Sequence, residues 1–254
     1  MAMTMKAKLA ERGRRLNGHV CVIPSAVVAQ AVASAGADYV IIDQEHSPMG
    51  FETLHAMIAA TAGTGCAPLV RIPEVGEAAV KRALDAGAEG ICFPLVRTVE
   101  DAKRCVAAMR YPPTGRRGWG PFVAHSRWGV SLTEYASNTA TNTVCMLLVE
   151  TAEAVDNIEE ICRVEGIDCM IVASFDLSTE LGVSGQFDHP KLKAAVAKIE
   201  AAAFATGIPL GAAGFTEDQT RSAMERGYRL IGAFDILWLK SAIQQSIQWM
   251  KHVP

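Results

Sequence analysis

Eight short runs of hydrophobic residues recur along the chain. Each run is almost continuously apolar rather than alternating between apolar and polar residues, which is typical of parallel strands buried on both faces. The runs cover residues 19–23, 39–43, 68–72, 90–96, 143–150, 169–173, 208–212 and 229–233. The pattern therefore predicts eight parallel β-strands.

Segments with the helical spacing of apolar residues lie between these strands. They cover residues 52–62, 77–86, 98–109, 152–164, 189–206 and 216–226. Thr98 and Thr216 are suitable N-caps, and Gly87 and Gly207 follow predicted helix ends. Eight strands alternating with helices predict an α/β protein, a (β/α)8 TIM barrel forming a single domain over residues 1–254. A doubly wound open sheet is the alternative, but no Gly-x-Gly-x-x-Gly motif follows any of the strands.

The connection between the fourth and fifth strands, residues 110–142, is much longer than an ordinary loop. It contains three prolines and four glycines, together with Trp119, Phe122 and Trp128. Long loops in compact domains are usually functional or disordered, and these aromatic side chains favour a function. We interpret segment 118–128 as a lid or as an oligomer contact, in which His125 could reach the mouth of the barrel.

Composition and charge narrow the class of protein. Half of the residues are hydrophobic, a fifth are charged and the formal net charge is -3, so no basic surface for nucleic acid is expected. No apolar stretch is long enough to cross a bilayer, and no signal peptide precedes the first strand. Seven scattered cysteines without a Cys-x-x-Cys spacing indicate buried thiols in the cytoplasm, with a zinc site or a nucleophilic thiolate as the alternative.

Polar residues stand where predicted strands end, which is where TIM barrels carry their chemistry. Glu150 and Asp176 follow the fifth and sixth strands and could hold a hard divalent cation; alternatively, Glu150 is an ion-pair partner and Asp176 a helix cap. His46, after the second strand, could be a general base or an ordinary loop histidine. Arg71, at the end of the third strand, either pairs with a carboxylate or awaits an anionic substrate.

At these residues the sequence resembles the HpcH/HpaI aldolase family of metal-dependent (class II) pyruvate aldolases. The matching stretches are Asp43-x-Glu45-His46-Ser47, Val70-Arg71-Ile72-Pro73, Leu84-Asp85-Ala86-Gly87-Ala88, Arg110-Tyr111-Pro112-Pro113-x-Gly115-x-Arg117-Gly118, Val149-Glu150-Thr151 and Asp176-Leu177-Ser178. The resemblance implies a (β/α)8 barrel that assembles as a homohexamer, a trimer of dimers. The C-terminal helix, here residues 236–251, would be exchanged between subunits.

The resemblance also implies roles for individual residues. Glu150 and Asp176 would ligate Mg²⁺, Mn²⁺ or Co²⁺, and a 2-oxo acid such as pyruvate would chelate that metal. Arg71 would stabilise the enolate that develops at the keto oxygen. His46, oriented by Asp85, would act as the base.

Further residues would support this site. Glu45 would assist the residues that touch the substrate. The family usually has Gly-Pro-Ala before Asp-Leu-Ser, and this chain has Ala173-Ser174-Phe175 instead. Ser174, Phe175 and Asp176 would contact the substrate through a turn whose backbone N–H groups cradle its carboxylate, and the bulky Phe175 would reshape that pocket.

The activity implied is reversible cleavage of a 4-hydroxy-2-oxo acid to pyruvate and an aldehyde. No lysine stands at a predicted strand end, which argues against a Schiff-base aldolase; the lysines at 81, 103, 191, 193 and 198 fall in helices. One alternative is a relative that uses the same metal and enolate for oxaloacetate decarboxylation or carbon–carbon bond formation. Another is a non-catalytic oligomeric protein that binds 2-oxo acids.

Overall fold

The eight predicted strands form a closed parallel barrel in which each strand pairs with the next and β8 pairs with β1. The computed structural model describes residues 3–251. The strands are β1 (Leu16–Cys21), β2 (Tyr39–Asp43), β3 (Ala67–Arg71), β4 (Gly90–Phe93), β5 (Val144–Val149), β6 (Cys169–Val172), β7 (Leu210–Ala213) and β8 (Leu230–Phe234). The prediction of a (β/α)8 TIM barrel is confirmed.

Helices surround the barrel and return the chain from the carboxyl end of one strand to the start of the next. They are α1 (Met5–Ala10), α2 (Ala26–Ser34), α3 (Phe51–Ala59), α4 (Glu77–Asp85), α5 (Val99–Met109), α6 (Ala124–Trp128), α7 (Leu132–Glu134), α8 (Ala152–Asp156), α9 (Ile158–Ile161), α10 (Ser174–Glu180), α11 (Pro190–Thr206), α12 (Glu217–Glu225) and α13 (Asp235–Lys251). The predicted helix 152–164 is divided into α8 and α9 at Asn157, which caps both. Thr98 caps α5 in a capping box with Asp101, as its position predicts.

The N-terminal helix α1 closes the barrel interior at the end where the strands begin. Met5 and Leu9 of α1 pack against Leu16 and the other inward-facing strand residues. Tyr39 is buried there, and a Cβ at Gly18 would lie 2.1 Å from its ring, so the close approach of β1 and β2 requires glycine at that position. These contacts fill the N-terminal end of the barrel and leave the carboxyl ends of the strands for chemistry.

The long connection 110–142 folds against the outside of the barrel. It contains α6, α7, a π-helical turn (Tyr135–Thr139) and a 3-10 turn (Ala140–Asn142), and it has a small apolar cluster of its own around Tyr135. No helix within residues 3–251 combines the length and the apolar character needed to cross a membrane.

Candidate active site

A buried ion pair joins the ends of two neighbouring strands. Asp43 is the last residue of β2 and Arg71 is the last residue of β3, and the two are partners in the strand register. Arg71 Nε and Nη2 donate to Asp43 Oδ1 and Oδ2 at 2.8 and 2.7 Å. Such a bidentate contact fixes the guanidinium plane, and Nη1 has no hydrogen-bond partner among residues 3–251. Of the two roles open for Arg71, the structure shows pairing with a carboxylate.

Glu45 lies beside this pair without a satisfied hydrogen bond. Its Oε2 is 3.3 Å from Arg71 Nε, yet that N–H is directed at Asp43, and Oε2 is buried with no hydrogen-bond partner. Burial raises the pKa of the Glu45 carboxyl, Arg71 opposes the shift, and the carboxylates of Asp43 and Asp176 add to it. Burial and the neighbouring carboxylates thus disfavour the charged form of Glu45, whereas Arg71 favours it.

Glu150 follows β5 and faces the same site. Its Oε1 accepts a hydrogen bond from the backbone N–H of Leu95, a residue with a left-handed φ of 54°. Burial raises the pKa of Glu150, the Leu95 N–H opposes this, and the carboxylates of Asp176 and Glu45 raise the pKa further. Asp176 stands in the first turn of α10. Glu150, Asp176 and Glu45 are therefore close enough to repel one another.

The charge balance of this group fits a divalent cation. The site brings together the four carboxylates of Asp43, Glu45, Glu150 and Asp176 and the guanidinium of Arg71, which is bonded to Asp43 and lies 3.3 Å from Glu45 Oε2. Hard cations such as Mg²⁺ prefer carboxylate oxygens and keep several positions for water or substrate. No set of three or more His, Cys, Asp or Glu side chains within 3–251 is arranged to ligate one ion together. Glu150 and Asp176 are the two carboxylates that the family resemblance assigns to such an ion.

His46 stands at the rim of the site. Its side chain is 64% exposed, and Nε2 lies 3.6 Å from Glu45 Oε2. The loop that carries it is held by Asp43, whose Oδ1 accepts from the backbone N–H groups of Glu45 and His46 at 2.9 and 3.4 Å. An exposed imidazole beside a carboxylate can accept a proton from a substrate.

Comparisons with known proteins decide the family. The sequence profile of the family "HpcH/HpaI aldolase/citrate lyase" matches residues 23–236. The chain belongs to this family. The resemblance predicted from its motifs is thereby confirmed.

Relatives and solved structures of the HpcH/HpaI family cover most of the chain. The 2-dehydro-3,6-dideoxy-6-sulfogluconate aldolase of Pseudomonas putida is 35% identical over 80% of each chain. The hydroxypyruvate/pyruvate aldolase of Chromohalobacter salexigens is 34% identical over 88% of each chain. A crystal structure of a family protein from Burkholderia cenocepacia superposes with a TM-score of 0.91 at 32% identity, covering 97% of this chain and 98% of that one.

These relatives confirm the predicted class of activity. This HpcH/HpaI protein is a carbon–carbon lyase, a class II aldolase that releases pyruvate and an aldehyde. The family uses a divalent metal, in agreement with the charge balance of the site. The alternative of a non-catalytic binding protein is not supported.

Within one subunit of this aldolase, Asp85 is far from His46 along the fold. Asp85 is the last residue of α4, which ends at the side of the barrel where the strands begin. Its Oδ1 accepts from Nη2 of the buried Arg117 at 2.6 Å. Within residues 3–251, no hydrogen bond or ion pair joins Asp85 to His46, so the structure does not bring the expected pair together in one chain.

The segment 118–128 also lies at that end of the barrel, and it does not cover the mouth of its own subunit. Arg127 Nη2 donates to Thr61 Oγ1, just after α3, at 3.0 Å, and a Cβ at Gly120 would lie 3.3 Å from Asp85 Oδ2. His125, in α6, has its Nδ1 3.0 Å from the carbonyl oxygen of Pro121 and does not reach the strand ends. The interpretation as a lid over the same chain is corrected; an oligomer contact remains a prediction.

Two contributions to the site are not visible in single residues of the sequence. In the sequence, Asp43 is simply the polar last residue of an apolar strand. Its pairing with Arg71 follows only from the register of β2 against β3. Leu95 acts through its backbone, so its residue type gives no signal. Ser174 and Phe175 open α10 directly before Asp176, as the motif predicts.

Proposed function

We propose that this aldolase cleaves a 4-hydroxy-2-oxo acid reversibly to pyruvate, or a related 2-oxo acid, and an aldehyde, using Mg²⁺, Mn²⁺ or Co²⁺ held by Glu150 and Asp176. The excess of carboxylates around a single guanidinium at the ends of β2, β3 and β5 carries the proposal. When bound, the metal supplies positive charge at the 2-oxo and carboxylate oxygens of the substrate. Ser174, Phe175 and Asp176 contact that 2-oxo acid at the start of α10.

Arg71 stabilises the negative charge that forms on the 2-oxo oxygen. Its Nε and Nη2 are occupied by Asp43, so Nη1 is the atom that can donate to the substrate. A guanidinium that is already oriented by a buried carboxylate needs little reorganisation as that charge develops. Asp43 therefore acts through Arg71 as a positioning residue.

His46 takes the proton of the 4-hydroxyl group at Nε2. The electrons of that O–H bond form the aldehyde C=O, the C3–C4 bond breaks, and its electron pair forms the enolate of the 2-oxo acid. Protonation of that enolate at C3 gives pyruvate. Glu45, whose Oε2 lies 3.6 Å from Nε2, stabilises the protonated form of His46 by its charge. Because Asp85 of the same chain lies at the other end of the barrel, an orienting role for it requires a second subunit.

A second subunit fits the exposed apolar surface of α13. This helix contacts the rest of its chain chiefly at β1 and β8, while Trp238, Ile243, Ile247 and Trp249 stay exposed along it. We propose that α13 is exchanged between partners of a homo-oligomer, a hexamer by family resemblance. The seven free, buried cysteines support a reducing, cytoplasmic location.

The decisive test is pyruvate release from 4-hydroxy-2-oxopentanoate, whose products are pyruvate and acetaldehyde. Purified protein is assayed through lactate dehydrogenase with Mg²⁺, Mn²⁺ or Co²⁺, and then with EDTA. Release that requires the metal supports the proposal. Metal-dependent decarboxylation of oxaloacetate without any release would overturn it in favour of the decarboxylase alternative, and metal-independent release would overturn the metal assignment.

A further inference from the structure

Four phenylalanine rings line one side of the barrel mouth. Phe175 starts α10, Phe187 lies in the loop after it, Phe215 follows β7 and Phe234 ends β8. The Phe175 and Phe187 rings meet edge to face with centroids 4.8 Å apart, and Phe175 meets Phe215 at 6.0 Å. Phe215 stacks on Phe234 at 6.4 Å. The four rings form one continuous surface, which we call the phenylalanine wall.

The phenylalanine wall begins at the proposed metal ligand. Phe175 directly precedes Asp176, and both stand in the first turn of α10. Phe175 and Phe187 are 51% and 45% exposed, whereas Phe215 and Phe234 are partly buried behind them. Exposed apolar surface beside polar catalytic groups is typical of a pocket for the apolar part of a ligand.

Positive charge is absent from the segments that form this side of the mouth. Residues 173–189, 213–220 and 234–239 contain no lysine or arginine, although they include five aspartates and glutamates besides Asp176. Arg97, after β4, lies 3.9 Å from both Glu153 and Glu180, and Arg71 is engaged by Asp43. A substrate with a second carboxylate would find no basic partner along this wall, whereas an apolar group would bury the exposed surface of Phe175 and Phe187.

We propose that the aldehyde of this aldolase is uncharged and carries an aromatic or bulky apolar group, which packs on the phenylalanine wall. This inference rests on the proposed function and adds the class of the second substrate. In the synthetic direction, C3 of the pyruvate enolate forms a bond to the aldehyde carbon. The C=O π electrons move to the aldehyde oxygen, which takes the proton from His46, and the apolar group remains on Phe175 and Phe187.

The experiment compares two aldehydes with pyruvate and Mn²⁺, benzaldehyde and 4-oxobutanoate, which differ in aromatic character and charge. We expect kcat/KM for benzaldehyde to exceed that for 4-oxobutanoate by about tenfold or more. Phe187→Ala should lower the ratio of the two values by about tenfold, the size expected for one aromatic contact with its buried surface. Phe187→Lys should lower it further, because it adds a partner for the carboxylate.

Phe204→Ala is the matched control. Phe204 is also 45% exposed, but it lies on α11 and takes no part in the wall, so the ratio should stay as in the wild type. Using a ratio cancels differences in folding and active concentration. A preference for 4-oxobutanoate in the wild type, or an unchanged ratio in both Phe187 variants, would overturn the inference.

A second measurement separates this inference from the proposed function. Exchange of the pyruvate methyl protons with deuterium, followed by NMR with Mn²⁺ added and removed before detection, needs the 2-oxo acid half of the site alone. Metal-dependent exchange without the benzaldehyde preference refutes the inference and leaves the proposed function intact. Absence of exchange refutes the proposed function itself.

Discussion

Two close neighbours act on the carboxylate of Glu150. The backbone N–H of Leu95 donates a hydrogen bond to it, and the carboxylate of Asp176 repels its negative charge. We expect Glu150→Gln and Asp176→Asn each to lower metal-stimulated aldol cleavage by about 100-fold or more, because a neutral amide is a weak ligand for a hard cation. The assay is pyruvate release over a titration of Mn²⁺. Wild-type activity of either variant in EDTA would contradict the assignment of these ligands.

Substitution of His46 should affect two reactions that share the same enolate to different extents. His46→Ala should lower aldol cleavage by about 10²- to 10⁴-fold, the usual contribution of a general base. Oxaloacetate decarboxylation has no hydroxyl proton to remove, so its rate should fall far less. Equal losses in both assays would show that His46 supports the site without acting as the aldol base.

The metal-free site should make stability depend on pH. Burial raises the pKa of Glu150, so the folded protein holds a proton there at a pH where the unfolded chain has lost it. The folded state is therefore favoured below that window, and its advantage is lost as pH rises through the raised pKa. In EDTA, the melting temperature of the wild type relative to Glu150→Gln should fall from about pH 4 upwards. A relative rise would contradict the direction of the shift.

At the scale of elements, the buried Arg117 holds the connection 110–142 to α4. It donates to Asp85, and its guanidinium lies 4.7 Å from the centre of the Tyr111 ring. Arg117→Met should lower the free energy of unfolding by about 3 kcal/mol, because it leaves the Asp85 carboxylate without its partner. The same substitution should speed proteolysis within residues 118–128. The exposed neighbour Arg116, changed to Met, is the control; equal effects of both variants would show that Arg117 is no anchor.

The strands were predictable because a parallel strand buried on both faces has to be apolar along its whole length, as 144–149 is. The break between α8 and α9 at Asn157 was not, since the helical spacing of apolar residues continues through it. Glu150 and Asp176 could be found because they end apolar runs. Asp43 could not be found as the partner of Arg71, because pairing between strands depends on their register. The position of segment 118–128 could not be predicted either, because it depends on contacts with α3 and α4, which are distant in sequence.

At the scale of the whole molecule, α13 leaves a row of large apolar side chains exposed. We expect the wild type to be an oligomer. Ile243→Asp combined with Ile247→Asp should shift it to smaller species, because each isoleucine that is buried between subunits contributes about 2 kcal/mol to association. Light scattering coupled to size-exclusion chromatography measures the mass. Gln244→Asp with Gln248→Asp adds the same charge on the same helix and is the control. A monomeric wild type would contradict the exchange of α13.

The hydrogen bond from Leu95 to Glu150 is made by the main chain. Every amino acid except proline supplies the same N–H, so replacing the Leu95 side chain leaves that contact in place as long as the left-handed backbone is kept. A scan of alanine substitutions would therefore report position 95 as tolerant while the carboxylate still relies on it. The dependence becomes visible only when the amide itself is replaced by an ester, or when proline is introduced.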